Sequence, residues 1–574
     1  MSAAETGSPK WSRLRGLAVL AAVVLLPAVI FAAFGTPGGS SILYNLSWYA
    51  EVRDVLSEGV FPPRHLPGGF GGFGTLDFFF YGPLPFWFAA FTDLVFCWGC
   101  SADTAFSFGL GMGLGISALS FYAFARRFVP PLAAAIGAAA YALMPYHLTV
   151  DWIARQAAGE FFAYIFVPII ALGMDVVLRE KRLGPSFVLG FAGLCMTHLP
   201  TALLAGHVFT VVYVAWVFAH RPGLAVAGAA FLRLLAATVI GALLSAAFWL
   251  PAISLIKDLS PHILFESKVA PVQYLIGPGM APADVVTAIQ IVISLCAVLV
   301  CLLLLYLASK GSSSTDQQAF AKLIWVTVPV LICLFLMSEL SVPIWKYWII
   351  NIAQFPWRLL VFCDLAGALG IALATAAVAH SSRRWIFNLG FSAVLATGNL
   401  LCFVLYYDVR QNMSDPDALV AFRIGGAEYM PPYTLKKLQE LAAGAQDELD
   451  VYRQFQTTGT RISEGFDEFA LTSRRADAVP AEGVTKMILP LIYWEYWVGM
   501  DADGAPLALH AEPSLGLTEV RREDGATFAG PVTLILPWLK AEKIGALLSL
   551  IGLFCLAGTY LMPSVRRRHR ASTS

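Results

Sequence analysis

Charge is scarce in this sequence. Only 13% of its 574 residues are Asp, Glu, Lys or Arg, while 58% are hydrophobic; soluble proteins carry about 25% charged residues. One water-soluble core cannot absorb that much apolar surface, because cores stop growing beyond roughly 250–300 residues. Lipid is the solvent that fits. An excess of either sign is missing too: 38 basic and 38 acidic residues cancel, so nothing global points to a nucleic-acid partner. The nine histidines form no cluster of the kind a zinc enzyme needs. No internal repeat relates the two halves, which argues against a secondary transporter built on inverted repeats. Of the nine cysteines, Cys195, Cys296, Cys301, Cys333, Cys363, Cys402 and Cys555 are scattered through apolar runs as small hydrophobes. The exception is Cys97-Trp98-Gly99-Cys100. It has neither the thioredoxin-like context nor the second ligand pair that redox or metal roles require, so a simple disulfide is the leading alternative to two free thiols.

What the sequence has in plenty is helix-length apolar runs. They lie near 16–34, 104–125, 130–147, 162–178, 185–199, 201–219, 231–253, 284–308, 322–338, 358–379, 385–407 and 542–562. The first is longer than a signal-peptide core and is followed by others, so it reads as a retained helix. If the segment 83–99 does not cross, one side collects Lys10, Arg13, Arg15, Arg126, Arg127, Arg179, Lys181, Arg182, Arg221, Arg233, Lys310, Lys322, Arg383, Arg384 and the Arg566–Arg570 tail. The positive-inside rule makes that side cytoplasmic and makes 83–99 a juxtamembrane or re-entrant helix on the outer face. The expectation is an all-α polytopic membrane bundle of about 12 transmembrane helices, in the bacterial inner membrane, with both termini cytoplasmic.

The outward loops carry the chemistry. In the long first loop, 35–103, Tyr44–Asp54 reads as an amphipathic helix, followed by Arg64-His65, the glycine-rich run Gly68–Gly74 and Asp77-Phe-Phe-Phe-Tyr81. The glycines follow no strand and precede no helix of dinucleotide-binding type. They imply irregular backbone covered by protein or by a wet cavity. The second outward loop holds His147, Asp151, Arg155 and Glu160; the first three are spaced four apart, which places them on one face of a helix. His198 punctuates two apolar runs, and Arg358 follows Gln354-Phe-Pro-Trp at the start of another. A fixed arginine there can hold a phosphate through two parallel hydrogen bonds, or snorkel to lipid head groups. Asp364, two turns deeper, needs a partner that the sequence does not name. Residues 1–407 thus read as a transmembrane region and 408–540 as an extracytoplasmic α+β domain. That domain is expected to be helical over 414–482 and β-rich over 484–537, a small sandwich-like module with Ile488–Val498 as one strand. Residues 541–574 would be the last helix and a basic cytoplasmic tail.

Several segments resemble the YfhO-like and 6-pyruvoyl-tetrahydropterin synthase-related bacterial membrane proteins, relatives of the GT-C glycosyltransferases. They are Gly71–Pro85, Tyr146–Glu160, Thr197–Leu204, Leu244–Ala252, Gln354–Arg358, Glu428–Pro431 and the run Leu489–Leu536. The resemblance implies a GT-C-like bundle over a periplasmic cavity. It implies a lipid-linked (polyprenyl-phosphate) sugar donor, a cell-envelope glycan or lipid acceptor, and an acidic base in the first outer loop. This chain departs from that pattern: Ser41 stands where relatives tend to carry aspartate, and Asn45 where histidine is common. The base then falls to Glu51, Asp54 or Asp77 in this loop, or to Asp151 or Glu160, with Glu51, Asp77, Asp151 and Glu160 favoured; Arg64, His65, Tyr81, His147, Arg155, His198 and Arg358 stand around the donor, and a divalent metal is left open. A non-catalytic protein that binds or helps translocate a lipid-linked glycan is the second reading, and a secondary transporter the third.

Overall fold

The structure is a computed structural model and describes residues 9–36, 41–97, 99–259, 271–277, 285–309, 317–379, 381, 384–410, 429–445 and 448–572. Trp98, Lys268, Lys310, Arg383, Glu428 and the stretch 411–428 of the C-terminal segment lie outside the described residues.

In chain order the helices are α1 (Pro9–Phe34), α2 (Ile42–Ser57), α3 (Leu84–Phe96), α4 (Ala102–Ala125), α5 (Pro131–Ala142), α6 (Ala158–Glu180), α7 (Pro185–Thr197), α8 (Leu199–His220) and α9 (Leu224–Leu244). There follow α10 (Ala246–Leu255), α11 (Val285–Ser309), α12 (Gln317–Met337), α13 (Val342–Tyr347), α14 (Leu360–Ala377), α15 (Arg384–Arg410), α16 (Pro432–Ala442), α17 (Glu448–Ile462) and α18 (Lys540–Ser572). Among the described residues, ten helical stretches are long and apolar enough to cross a membrane, counting α5 with its continuation to Ala154 as one. One of the twelve runs named from sequence falls short. Helix α7 has 13 residues, roughly 20 Å at 1.5 Å per residue against a hydrocarbon core of about 30 Å. Extended backbone at His198 (φ −155°, ψ 94°) separates it from α8. In α12 the apolar described stretch is Ile324–Met337. Helix α3, over the segment expected not to cross, is also short and leaves Phe91, Leu94, Val95 and Phe96 exposed.

The run Gly109-Leu-Gly-Met-Gly-Leu-Gly115 explains how the centre packs. A Cβ at Gly111 or Gly115 would strike the α1 backbone at Pro27–Ala28 and Val24, and one at Gly109 would lie 2.7 Å from Ala89 Cα of α3. Small residues four apart let helix backbones approach where no hydrophobic effect drives association. Gly113 receives the ring of Phe162 from α6, so four helices meet closely here.

The C-terminal strands are β1 (Phe466–Thr472), β2 (Arg475–Pro480), β3 (Lys486–Ile492), β4 (Val498–Met500), β5 (Pro506–Ala511), β6 (Leu517–Arg522) and β7 (Val532–Ile535). They form one antiparallel sheet in the order β1-β2-β7-β4-β5-β6-β3. Glu464, just before β1, pairs with Ile488 of β3, so the two edges meet and the sheet curls toward a barrel rather than a sandwich. Closure removes exposed edges, a liability in any open sheet. Strands already begin at Phe466, inside the stretch read as helical; the charged pattern Phe-Asp-Glu-Phe-Ala-Leu-Thr buries little and shows weak alternation. The strand expected over Ile488–Val498 is broken, because Trp494 and Trp497 tuck inward in a turn between β3 and β4.

The first outer loop is clamped between bundle and sheet. Phe70, Phe73, Leu76 and Phe79 share an apolar core with Phe455, Leu489 and Leu517. Ile492 N–H donates to Phe73 O (2.8 Å), and Ser473 Oγ donates to His65 O (2.9 Å).

Candidate functional site

On the side of the bundle that carries the sheet, three chain breaks converge. The first follows Tyr146–Ala154, a π-helical stretch in which Arg155 N–H reaches Val150 O at 2.9 Å, five residues back. Such wide turns add a residue and re-aim side chains, and they recur at functional positions. Here the widening separates residues that an α-helix would align. His147 turns inward, with its Nδ1 against Tyr141 O (3.1 Å) and its ring stacked 3.5 Å from Tyr164, while Asp151 and Arg155 stay together. Gln156 then takes φ +52°, and Ala158 N–H bonds back to Gln156 O (2.9 Å), a tight γ-turn that starts α6. The second break is Gln354 at φ +60°, ψ −58°, where Phe355 N–H bonds to Ala353 O (2.7 Å). The third is His198. Non-glycine residues in left-handed backbone cost of order 1–3 kcal/mol each, so two such positions flanking the two arginines mark strain held by surrounding contacts.

The side chains so delivered form one charged knot. Arg155 Nη1 donates to Asp151 Oδ1 (2.9 Å), Glu160 Oε2 (3.1 Å) and Tyr146 Oη (3.2 Å). Tyr146 Oη donates to Glu160 Oε1 at 2.5 Å. Arg358 Nε reaches Glu160 Oε2 at 3.4 Å, and its Nη1 donates to Ala353 O at 2.7 Å. Asp151 and Glu160 are 0% and 1% exposed and Arg358 8%; buried ions are tolerated only in such mutual pairing. Two carboxylates and two guanidiniums balance. The arginines lie against aromatic faces, Arg155 5.6 Å from the Trp357 ring and Arg358 4.9 Å from Phe355, and those two rings stack at 4.4 Å. His198 lies within electrostatic reach of Glu160 and Arg358. A methyl on Gly159 would sit 3.4 Å from its ring and 3.5 Å from Tyr81 Oη, so Tyr81 and His198 roof the start of α6.

Helix α2 leans on the same knot. Ser41 N–H donates to Arg155 O (3.0 Å) and Asn45 Nδ2 donates to Gln156 O. Ser41, where the resemblance implies an aspartate, is therefore beside the Arg155 turn.

The other candidates go elsewhere. Glu51 accepts from Gly68 N–H (2.8 Å) and Asp77 from Trp48 Nε1 (2.6 Å), so both shape the interior of the first loop. Arg64 pairs with Glu542 (3.2 Å) and donates to Ala247 O, at the junction with α18. Burial pulls its guanidinium down to about 10, against the opposing pull of Glu542. His65 lies beneath the sheet, its ring edge-on to Trp497, and burial lowers it to about 3. Asp364 receives Tyr164 Oη at 2.7 Å, the partner that sequence could not supply. Tyr146, Tyr164 and Trp357 are members that sequence reasoning left out. No spacing links them to the arginines; the only local signal is their place in motifs bounded by prolines.

A separate apolar groove of about 1180 Å³ lies between α7, α8, α9 and α12, lined by Leu199, Ala202, Gly206, Phe209, Phe231 and Ile350 and by no residue of the knot. Its walls start at Leu199, next to His198, and reach Ile350, three residues before the Ala353 carbonyl that Arg358 binds. Among the described residues no group of three or more His, Cys, Asp or Glu side chains converges as metal ligands. The carboxylates face guanidiniums, so this donor set does not fit a divalent ion.

The chain matches no protein-family model and no curated protein. Among solved structures it is similar to the arabinofuranosyltransferase AftD from Mycobacteria (TM-score 0.42, 14% identity, 76% of this chain and 29% of that one). It is also similar to the Archaeoglobus fulgidus oligosaccharyltransferase in its apo form (TM-score 0.37, 12% identity, 79% and 60%). The chain thus spans under a third of the first and three fifths of the second. At these scores the likeness establishes neither family nor activity, and the YfhO-like and pterin-synthase-related labels suggested by the motifs find no counterpart.

Proposed function

We propose that this protein is a membrane glycosyltransferase that moves a sugar from a polyprenyl-phosphate donor to a hydroxyl of a cell-envelope acceptor, on the extracytoplasmic face. One observation carries the reading: a buried carboxylate, Glu160, is held by two arginines and a tyrosine, and an apolar groove begins at Leu199, next to His198. The groove suits an isoprenoid tail, and the guanidinium forks suit a phosphate, which each can grip through two parallel bonds. Arg358 makes the longest contact to Glu160, 3.4 Å, so phosphate oxygens displace the carboxylate there first. Glu160 then takes the acceptor's hydroxyl proton as its oxygen attacks the anomeric carbon, and the C–O bond to phosphate breaks, leaving polyprenyl phosphate on Arg155 and Arg358. The stacked Phe355 and Trp357 offer a face for the sugar ring.

Positively charged Arg126, Arg127, Arg179, Lys181, Arg182 and Arg221 lie at the opposite ends of the helices from the knot, which supports a cytoplasmic assignment for that side and an extracytoplasmic one for the sheet.

The test is transfer in membranes from a panel of radiolabelled polyprenyl-phosphate sugars, comparing wild type with alanine variants at Glu51, Asp77, Asp151 and Glu160. Loss confined to Glu160 or Asp151 supports the assignment; loss only at Glu51 or Asp77, with expression intact, overturns it. The second reading, a protein that binds or helps translocate a lipid-linked glycan, is favoured by the engagement of both carboxylates with Arg155 and by Ser41. Donor binding without transfer in every variant would select it.

A further inference from the structure

Cys97 and Cys100 close the turn between α3 and α4. Cys100 N–H donates to Cys97 O at 2.8 Å, and Gly99 takes φ +86° with open space around it. A four-residue turn closed in this way keeps its end Cα atoms within about 7 Å, which overlaps the roughly 4.4–6.8 Å that a disulfide spans. The two thiols interact, and Cys97 is pushed up to about 12 by burial first and then by the neighbouring Cys100. Cys97 is buried and Cys100 half-exposed.

The turn is wired to the charged knot. Cys97 N–H bonds to Asp93 O (3.0 Å). The Asp93 carboxylate accepts from Tyr49 Oη (2.9 Å) and pairs with Arg53 (3.7 Å), both on α2. The first residues of α2 in turn hold the Arg155–Gln156 backbone. On the other side, Asp103, three residues beyond Cys100, accepts Thr36 N–H (2.6 Å) at the end of α1.

We infer that Cys97 and Cys100 are a redox pair whose closure to an intra-turn disulfide stiffens the α2–α3 cradle beneath Arg155. The half-exposed Cys100, as thiolate, attacks a disulfide of a thiol-exchange partner, small molecule or protein, and releases one thiol. Cys97 then displaces the second thiol from the mixed disulfide, so two thiols are oxidised and one disulfide is reduced. The step does not depend on the transfer reaction.

The test uses the full chain in lipid nanodiscs, treated with oxidised or reduced glutathione and quenched with N-ethylmaleimide. Mass spectrometry of the peptide containing residues 97–100 is expected to show two hydrogens lost and no alkylation after oxidation. Amide exchange in residues 42–57 is expected to slow several-fold on oxidation, and not at all in the C97S/C100S variant. Alkylation of both cysteines after oxidation, or a persistent glutathione adduct on Cys100, overturns the pair. A disulfide without slower exchange overturns the link to the knot. Both readouts are independent of whether any sugar is transferred.

Discussion

Replacing Glu542 by Gln leaves two arginines facing a neutral amide where three parts of the chain meet. Glu542 Oε1 lies 3.2 Å from Arg64 Nε of the first outer loop and 2.6 Å from Arg474 Nη2 of the sheet module. Its Oε2 accepts Leu539 N–H (2.9 Å) at the head of α18. Arg64 and Glu542 are 4% and 1% exposed, so water cannot solvate what is left behind. Removing one partner of such a buried cluster costs about 3–5 kcal/mol, a factor of roughly 10²–10³ or more in the equilibrium for local opening. The cost falls on docking, since Arg474 also spans to the Leu536 and Pro537 carbonyls. Hydrogen exchange in nanodiscs is the assay: amides of residues 61–66, 473–480 and 536–545 are expected to lose protection in Glu542→Gln while α4 and α6 keep theirs. Replacing all three charges by apolar residues (Arg64→Met, Arg474→Met, Glu542→Leu) is expected to restore most of it, because desolvation is relieved together with the pairing. Unchanged exchange in Glu542→Gln, or a triple variant worse than the single one, would refute the argument.

Three further outcomes follow from the same geometry. Glu160→Gln keeps the shape of the side chain but removes the proton acceptor, so transfer should fall about 10²–10⁴-fold, and stability should fall as well because Arg155 and Arg358 lose a buried partner; near-normal turnover would eliminate Glu160 as base. Gly206 lines the groove with open space at its Cβ position, so Gly206→Phe should raise the KM for long-chain donors and leave short-chain ones unaffected, whereas equal effects on both would empty the groove of its role. His65 is held near 3 against 6.5 in the unfolded chain. Below about pH 6.5 the unfolded state gains a proton that the folded state refuses, so stability falls with decreasing pH by up to about 1.4 kcal/mol per unit. Between pH 7 and 5 wild type should therefore lose roughly 2 kcal/mol more than His65→Gln; parallel curves would show that His65 is not buried neutral.

The sequence by itself determined that this chain is a bundle of apolar helices with a polar module near its C-terminus. Those properties live in composition and run length, which lipid reads directly. It also gathered Asp151, Arg155 and Glu160, because residues a few positions apart cannot escape one another. The remainder required the tertiary structure. Arg358 is 198 residues from Glu160, and no local pattern encodes that pairing. His147 left the stripe its spacing suggested because one π-helical stretch shifted the phase. Glu51 and Asp77 resemble catalytic groups in one dimension and form bonds within the first loop, while Arg64 and His65 bond outward to α18 and the sheet. Ionisable residues in an apolar chain must find partners, and their number is written in the composition. Which partners they find is decided only by packing in three dimensions, because that pairing minimises the burial of unpaired charge across the whole chain.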